Sequence, residues 1–315
     1  MTPKVSVIIP NYNHAEFLEQ RINSVLNQTF DHFEIIILDD FSTDQSKSVI
    51  EKFRLNSKVI HVVYNDANTG NTFLQWKKGI ELARGEWIWI AESDDYCEDS
   101  LLVELLDGAA GIEDCTLSYC QSVMFQENSI LWISNSDHLK KYMKGRNFVQ
   151  EYMLKGNSVF NASMCIFRKE KYYSVQQEFT KYKYSGDWLF WIEIALQGHV
   201  FISGKTLNYF RKHLDDVSLS AFNAGIGYID YFPILHYLEA EHSLIGKRSI
   251  TLLYEKFKQF LCDNRVAHPS RKEIQSLFKQ ALKHHYYFAF GWLAFFEFKR
   301  LVRNSLLYKL KQVND

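Results

Sequence analysis

The sequence lacks an apolar run of the roughly 20 residues that a helix needs to cross a bilayer, which leaves no spanning helix to argue from. It also lacks a charge excess: 36 Lys and Arg against 37 Asp and Glu give a net charge of −1, so nothing in the composition calls for nucleic acid. Cysteine is sparse and odd in number. Cys97, Cys115, Cys120, Cys165 and Cys262 have no zinc-site spacing and cannot all pair, so a reducing compartment and thiols in or near the core are expected. No charged and apolar leader precedes the first strand after Met1-Thr2-Pro3-Lys4, so a mature cytoplasmic protein starting there is expected. Proline is rare, and beyond Tyr228 only Pro233 and Pro269 interrupt the helical pattern, with no flexible linker, internal repeat or low-complexity tract.

What is present is core material and acid-tipped strands. A hydrophobic content of 47% over 315 residues suits one large or two moderate domains. Trp87-Ile88-Trp89-Ile90 reads as a buried parallel strand, and it stops in Ala91-Glu92-Ser93-Asp94-Asp95. Open α/β sheets bind ligands beyond the carboxyl ends of their strands. The acids there are either a turn capping the helix that starts near Glu98 or the oxygen ligands of a hard divalent cation shared with a nucleotide diphosphate. A second strand, Glu34 to Leu38, ends likewise in Asp39-Asp40-Phe41-Ser42-Thr43-Asp44, and a third, Val5 to Ile9, runs into Pro10-Asn11-Tyr12-Asn13. Acids delivered by two strands to one edge favour a site.

Apolar runs alternate with helical patterns up to about Ala110, the rhythm of a doubly wound α/β sheet. Phe17, Leu18, Ile22, Val25 and Leu26 have helical spacing, as do Phe73, Trp76, Ile80 and Ala83; Val59 to Val63 makes another strand. After Cys115 to Val123 the regularity fades, and Gln126 to Lys155 takes no clear order. Cys165 to Phe167 reads as a returning strand, Asp187 to Leu196 as a helix, and everything from Tyr228 as helical.

Across roughly its first two thirds the chain resembles the inverting family 2 glycosyltransferases of the GT-A fold. The matching stretches are Val7 to Asn13, Ser24 to Thr29, Ile37 to Asp44, Asn68-Thr69-Gly70, Gly79 to Glu86, Ser93-Asp94-Asp95, Gly186-Asp187-Trp188 and Tyr209 to His213, in the family's order and spacing. The resemblance implies a GT-A catalytic domain over residues 1–225. Its nucleotide-binding half would span about 1–110 and its acceptor half about 111–225, with a helical region at 226–315.

The resemblance also assigns roles. Asp39, with Asp40, would engage the base or ribose of the donor nucleotide, Pro10, Tyr12 and Asn13 would pack on the base, and Asn68 would belong to the same pocket. Asp44 better fits a helix cap. Glu92-Ser93-Asp94 occupies the place of the family's DXD triplet, with Glu in place of the first Asp; Glu92 and Ser93 would face the nucleotide, and Asp94 would bind Mn²⁺ or Mg²⁺. Asp95 would cap the next helix or orient Asp94. Lys77 would answer the diphosphate as a point charge, whereas Lys78 reads as solvated. Arg211 would offset phosphate charge and His213 would complete the metal shell, ahead of a mobile loop at Leu214 to Ala224.

Asp187 stands where the family carries its general base, which removes the acceptor hydroxyl's proton while the anomeric carbon inverts. It is equally a helix N-cap, and the family's preceding Glu is Gly186 here. Trp188 reads either as a sugar-stacking surface or as core. The aromatic run Tyr286 to Phe296, followed by Lys299, Arg300, Arg303, Lys309 and Lys311, reads either as an interfacial helix or as one packed on the protein. The function implied is metal-dependent transfer from a nucleotide-diphosphate sugar, UDP-linked by expectation, to a glycan or lipid-linked acceptor in bacterial surface-polysaccharide synthesis. The enzyme would work in the cytoplasm or at the inner membrane face. An inactive nucleotide-sugar-binding subunit is the alternative outside catalysis. A sugar-nucleotidyltransferase wants a Gly-rich basic loop where Pro10-Asn11-Tyr12-Asn13 stands.

Overall fold

The structure, a computed structural model, describes residues 2–182, 184–213, 225–244, 248–263 and 268–281, and the chain divides into two compact units at 215/216. In the first unit β1 (Val5–Asn11), α1 (Ala15–Leu26), β2 (Phe33–Asp39), α2 (Ser46–Phe53), β3 (Val59–Tyr64), α3 (Thr72–Leu82) and β4 (Trp87–Ile90) alternate strictly. They are followed by β5 (Tyr96–Cys97), α4 (Leu101–Ala110), β6 (Cys115–Gln126), β7 (Ser129–Ile133), β8 (Lys140–Lys144), α5 (Gly145–Glu151), β9 (Cys165–Arg168), α6 (Lys169–Tyr172), α7 (Gly186–Leu196) and β10 (His199–Arg211).

All these strands join one sheet in the order β3-β2-β1-β4-β9-β6-β10-β5, with β7 on β6 and β8 on β10. The β3-β2-β1-β4 half is wholly parallel, and β6 and β10 are parallel to each other; β5, β7, β8 and β9 pair antiparallel. Every residue of β1, β2 and β4 is buried, which is why these strands read as continuous apolar runs. The chain moves from β1 to β2 and β3 on one side, then returns to place β4 on the other side of β1. That reversal opens a crevice beyond the carboxyl ends of β1 and β4.

Local chemistry fixes the elements around it. α3 starts where the Asn71 side chain accepts a hydrogen bond from Phe73 N at 2.9 Å, and it buries Phe73, Trp76 and Ile80. α7 is buried from Trp188 to Ala195, and the rings of Trp76, Phe179, Phe190 and Trp191 lie 4.9 to 5.7 Å apart beneath it. Cys97, Cys115, Cys120 and Cys165 are buried free thiols as expected, but Cys262 is exposed, because the amphipathic helix that carries it turns that position outward. The stretch that took no order in sequence contains β7, β8 and α5.

The second unit, by itself, contains α8 (Ile226–His242), α9 (Arg248–Cys262) and α10 (His268–Ala281). Phe257 stacks on Phe278 at 3.7 Å, and Tyr228 Oη donates to Asp263 at 3.2 Å. No described helix is long and apolar enough to cross a membrane. The loop at 214–224 and the aromatic and basic segment from 286 onward lie outside the described residues.

Gly85 tests the tightness of the central packing. A Cβ there would lie 2.5 Å from Ser6 N and 2.7 Å from Val5 C, both backbone atoms of the central strand's start. Gly85→Ala should therefore destabilise the protein by about 1–3 kcal/mol, read as a lower urea midpoint with unchanged slope.

Candidate active site

The loops after β1 and β2 are zipped together. Asp39 is 4% exposed, accepts from Asn11 Nδ2 at 2.8 Å and Ser42 Oγ at 2.6 Å, and takes Ser42 N at 3.0 Å on its other oxygen. Asn13 donates its backbone N–H to Ser42 Oγ and accepts from Thr43 N at 2.7 Å. Asn13 and Phe41 both hold positive φ, 55° and 66°, which turns the Tyr12 and Phe41 rings outward; they are 45% and 49% exposed. Pro10 is a buried residue of β1 in register with Leu38, so it forms no loop surface, and the exposed face begins at Tyr12. Asp44 accepts from Ser46 N at 2.9 Å and Ala15 N at 2.8 Å, satisfying amides at the starts of α2 and α1.

Asp40 anchors the loop after β3. Its carboxylate accepts from Asn65 Nδ2, Thr69 N, Thr69 Oγ1 and Gln75 Nε2 at 2.6 to 3.1 Å. Asn68 accepts from Gly70 N, and Gly70 takes the left-handed φ of 63° that lets the loop turn. Lys77 is half-buried on α3, while Lys78 donates to Asn65 Oδ1 at 2.5 Å and is therefore not a solvated side chain.

Beyond β4 the carboxylates take separate roles. Glu92 accepts from Trp76 Nε1 at 2.9 Å, and burial, with Asp94 nearby, pushes it up to about 8. Asp94 lies low: burial would raise it, but the bond to His213 Nε2 at 3.3 Å and the charge of His14 outweigh that. Asp95 is 1% exposed and caps no helix. It accepts from Asn161 Nδ2 at 2.6 Å and Arg211 N at 3.0 Å, and pairs with the buried Arg21 guanidinium at 3.8 Å. Arg211 is turned inward, donating from Nε to Asp94 O at 2.8 Å and from Nη2 to Gln20 Oε1 at 2.7 Å, between the rings of Phe17 and Phe125. It holds the acidic loop in place.

His14, Asp94 and His213 each bring one ligand atom within 4.8 Å of the others, on three different elements. His14 was not singled out in the sequence; its signal there was only its place directly after Asn13, at the start of α1. Ser93 is buried, with Oγ 2.8 Å from His14 Nδ1. A carboxylate with two imidazoles suits a divalent first-row transition metal, Mn²⁺ included, so the residues fit a bound cation.

Asp187 lies in the first turn of α7, past the N-cap Ser185. It accepts from Trp188 N at 2.7 Å and Asn157 Nδ2 at 2.8 Å, and burial, against those two bonds, pushes it up to about 7. A Cβ at Gly186 would collide with the Phe179 carbonyl oxygen and lie 2.5 Å from the Phe73 ring, so a side chain there would need its neighbours to shift, and Asn157 bonds the Asp187 carboxylate. Trp188 is core: its ring is 5% exposed and Nε1 donates to Met153 O at 2.9 Å. One short segment joins the two acid centres, since Asn157 bonds Asp187, Asn161 bonds Asp95, and Ser163 Oγ accepts from Glu92 N at 3.0 Å.

The mostly parallel sheet with its switch-point crevice, acid-tipped strands and a further carboxylate at a helix start defines an α/β protein of GT-A architecture. The chain belongs to glycosyl transferase family 2, whose sequence model matches residues 6–175, more than half of it. It is 36% identical over 105 residues, a third of the chain, to glycosyltransferase TuaG of Bacillus subtilis, whose name points to teichuronic acid biosynthesis. It is 35% identical over 115 residues, or 35% of the chain, to the poly(ribitol-phosphate) β-N-acetylglucosaminyltransferase TarS of Staphylococcus aureus. These matches cover only 41% and 19% of the two relatives. A TarS fragment solved with UDP-GlcNAc shares the fold at TM-score 0.65 and 22% identity, over 89% of this chain and 79% of that one.

The raised Asp187 gives a stability test with a definite sign. A carboxyl whose folded pKa is about 7 favours the folded state below its unfolded value near 3.8, and that contribution is lost as pH rises through about 7. Asp187→Asn should thus gain stability over the wild type between pH 5 and pH 8, as seen in melting temperatures. A constant difference across that range would assign the carboxyl an ordinary pKa.

Proposed function

We propose that the protein is an inverting glycosyltransferase. It moves a sugar from a UDP-linked donor to an acceptor hydroxyl in the synthesis of a teichoic- or teichuronic-type surface polymer. The observation that carries this reading is the 157–163 segment, which ties the Asp187 carboxylate and the Glu92–Asp95 loop into one frame. Asn157 and Asn161 are four residues apart, so about 14 Å of chain at most separates them. The two carboxylate centres are thus anchored to one short segment. The family membership and the names of TuaG and TarS support the chemistry and the polymer class.

In this reading the donor's base rests against Tyr12 in the crevice, and the framework of Asp39, Asp40, Asn13 and Asn68 shapes the pocket for base and ribose, with Asp39 offering its carboxylate. Glu92 and Ser93 border the ribose and diphosphate, and Lys77 adds a positive charge on the α3 side. Asp94 and His213 would hold Mn²⁺ or Mg²⁺, whose charge, when bound, offsets that of the departing diphosphate. Asp187, with a pKa near neutrality, takes the proton from the acceptor hydroxyl as its oxygen attacks the anomeric carbon. Asn157 fixes which carboxylate oxygen faces the acceptor. The acceptor is a glycan or a lipid-linked glycan, and the aromatic and basic segment from Tyr286 onward is the part that would meet a membrane surface.

Two outcomes are expected. Asp94→Ala should bind UDP with the same weak affinity with or without Mn²⁺, whereas the wild type should bind tighter with it; calorimetric titration reads both. Asp187→Asn should keep donor affinity and lose transfer by at least about 10²-fold, and wild-type kcat should fall as pH drops below about 7. Turnover by wild type, even donor hydrolysis, separates an enzyme from an inactive binding subunit. Near-normal transfer by Asp187→Asn would move the base to another carboxylate.

A further inference from the structure

We propose that His14 is a third protein ligand of the cation, giving this chain a centre of two imidazoles and one carboxylate that selects Mn²⁺ over Mg²⁺. The inference rests on the reading that a cation sits beside Asp94. The geometry is the start: ligand atoms of His14, Asp94 and His213 lie within 4.8 Å of one another. That is close to twice a metal–nitrogen bond of about 2.1 Å, so a small side-chain adjustment lets all three reach one ion.

His14 is held for this. Its carbonyl accepts from Phe17 N and Leu18 N at 2.9 Å, which fixes it at the start of α1, and Asp44 secures the next residue's amide at 2.8 Å. Its ring meets the edge of the His213 ring with centroids 5.3 Å apart. On the other side Ser93 Oγ lies 2.8 Å from Nδ1. A metal-bound imidazole ordinarily donates its remaining N–H to an oxygen, and Ser93 supplies one; a proton on Nδ1 leaves the Nε2 lone pair for the ion. The middle residue of the acidic triplet thereby orients a ligand from a different element.

Selectivity follows from donor type. Mg²⁺ prefers an all-oxygen octahedron and keeps its waters, whereas Mn²⁺ accepts imidazole more readily. Asp94 alone would serve either ion. Each added nitrogen tilts the choice away from Mg²⁺.

The test uses the full chain with Mn²⁺ or Mg²⁺ as probes, each alone and with UDP, by calorimetry, together with pulsed EPR of bound Mn²⁺. Wild type should bind Mn²⁺ at least about tenfold tighter than Mg²⁺ and show two coupled imidazole nitrogens. His14→Ala should lose about tenfold or more in Mn²⁺ affinity, keep Mg²⁺ affinity within about threefold, and show one nitrogen. Ser93→Ala should weaken Mn²⁺ binding by about 10-fold to 100-fold, the scale for an orienting partner. A single nitrogen in the wild-type spectrum overturns the proposal without any variant having to fold. So does unchanged Mn²⁺ affinity in His14→Ala; if Asp94→Ala still abolishes binding, the cation reading stands and only His14 falls. Wild type that binds no Mn²⁺ even with UDP present overturns both. Loss of UDP affinity in His14→Ala without metal would make His14 a diphosphate contact instead.

Discussion

Asp95 is almost wholly buried, and the carboxylate is satisfied because three separate parts of the chain meet it. Asn161 donates from the 157–163 segment, the Arg211 backbone N–H from β10, and Arg21 brings a buried guanidinium from α1 at 3.8 Å. Asn161 in turn accepts from Asn208 Nδ2 at 3.1 Å, and Asn208 also donates to Ser122 on β6 at 3.0 Å. Burial, with Asp94 nearby, pushes Asp95 up to about 7 even so, and a buried acid stripped of these partners would be strongly destabilising. Their meeting sets Glu92 and Asp94 at the mouth of the crevice.

Around that anchor the carboxylates of one small region separate by environment. Asp94, touching His213 and near His14, stays ionised and suits cation binding, while Glu92, bonded to the Trp76 indole, is pushed towards its neutral form. Asp187 is pushed to about 7, close to where a base must work. The loops after β1 and β2 are built differently. Asp39, Asp40 and Asn13 spend their hydrogen bonds on neighbouring loops, so the pocket is shaped before a ligand enters it.

The parallel half of the sheet could be read in the sequence because β1, β2 and β4 are buried on both faces and each ends in polar residues at the same edge. β7 could not, since all five of its residues are exposed although four are apolar, which leaves no alternation to detect. The triplet and Asp187 were singled out through the family resemblance, but their hydrogen-bond partners were not. Asn157 lies 30 residues from Asp187 and His14 lies 79 from Ser93, so only the fold brings each pair together. At Gly186, where the resemblance would have a Glu, the Phe73 ring and Phe179 carbonyl occupy the space a side chain would need. Pro10 read as a surface packed on the base and is buried in β1, and of the two readings open for Trp188 the structure shows core, because periodicity and motif do not reveal which side of a helix or strand another element covers.

The central claim is that a single carboxylate, Asp187, drives a direct displacement on a sugar held by the Asp94 side of the crevice. The anomeric configuration of the product tests it most directly, read by proton NMR coupling constants on the glycoside formed from an α-linked UDP-sugar. A β-linked product is expected. An α-linked product would mean two displacements or a front-face route and would contradict the single-base arrangement described for Asp187 and Asn157.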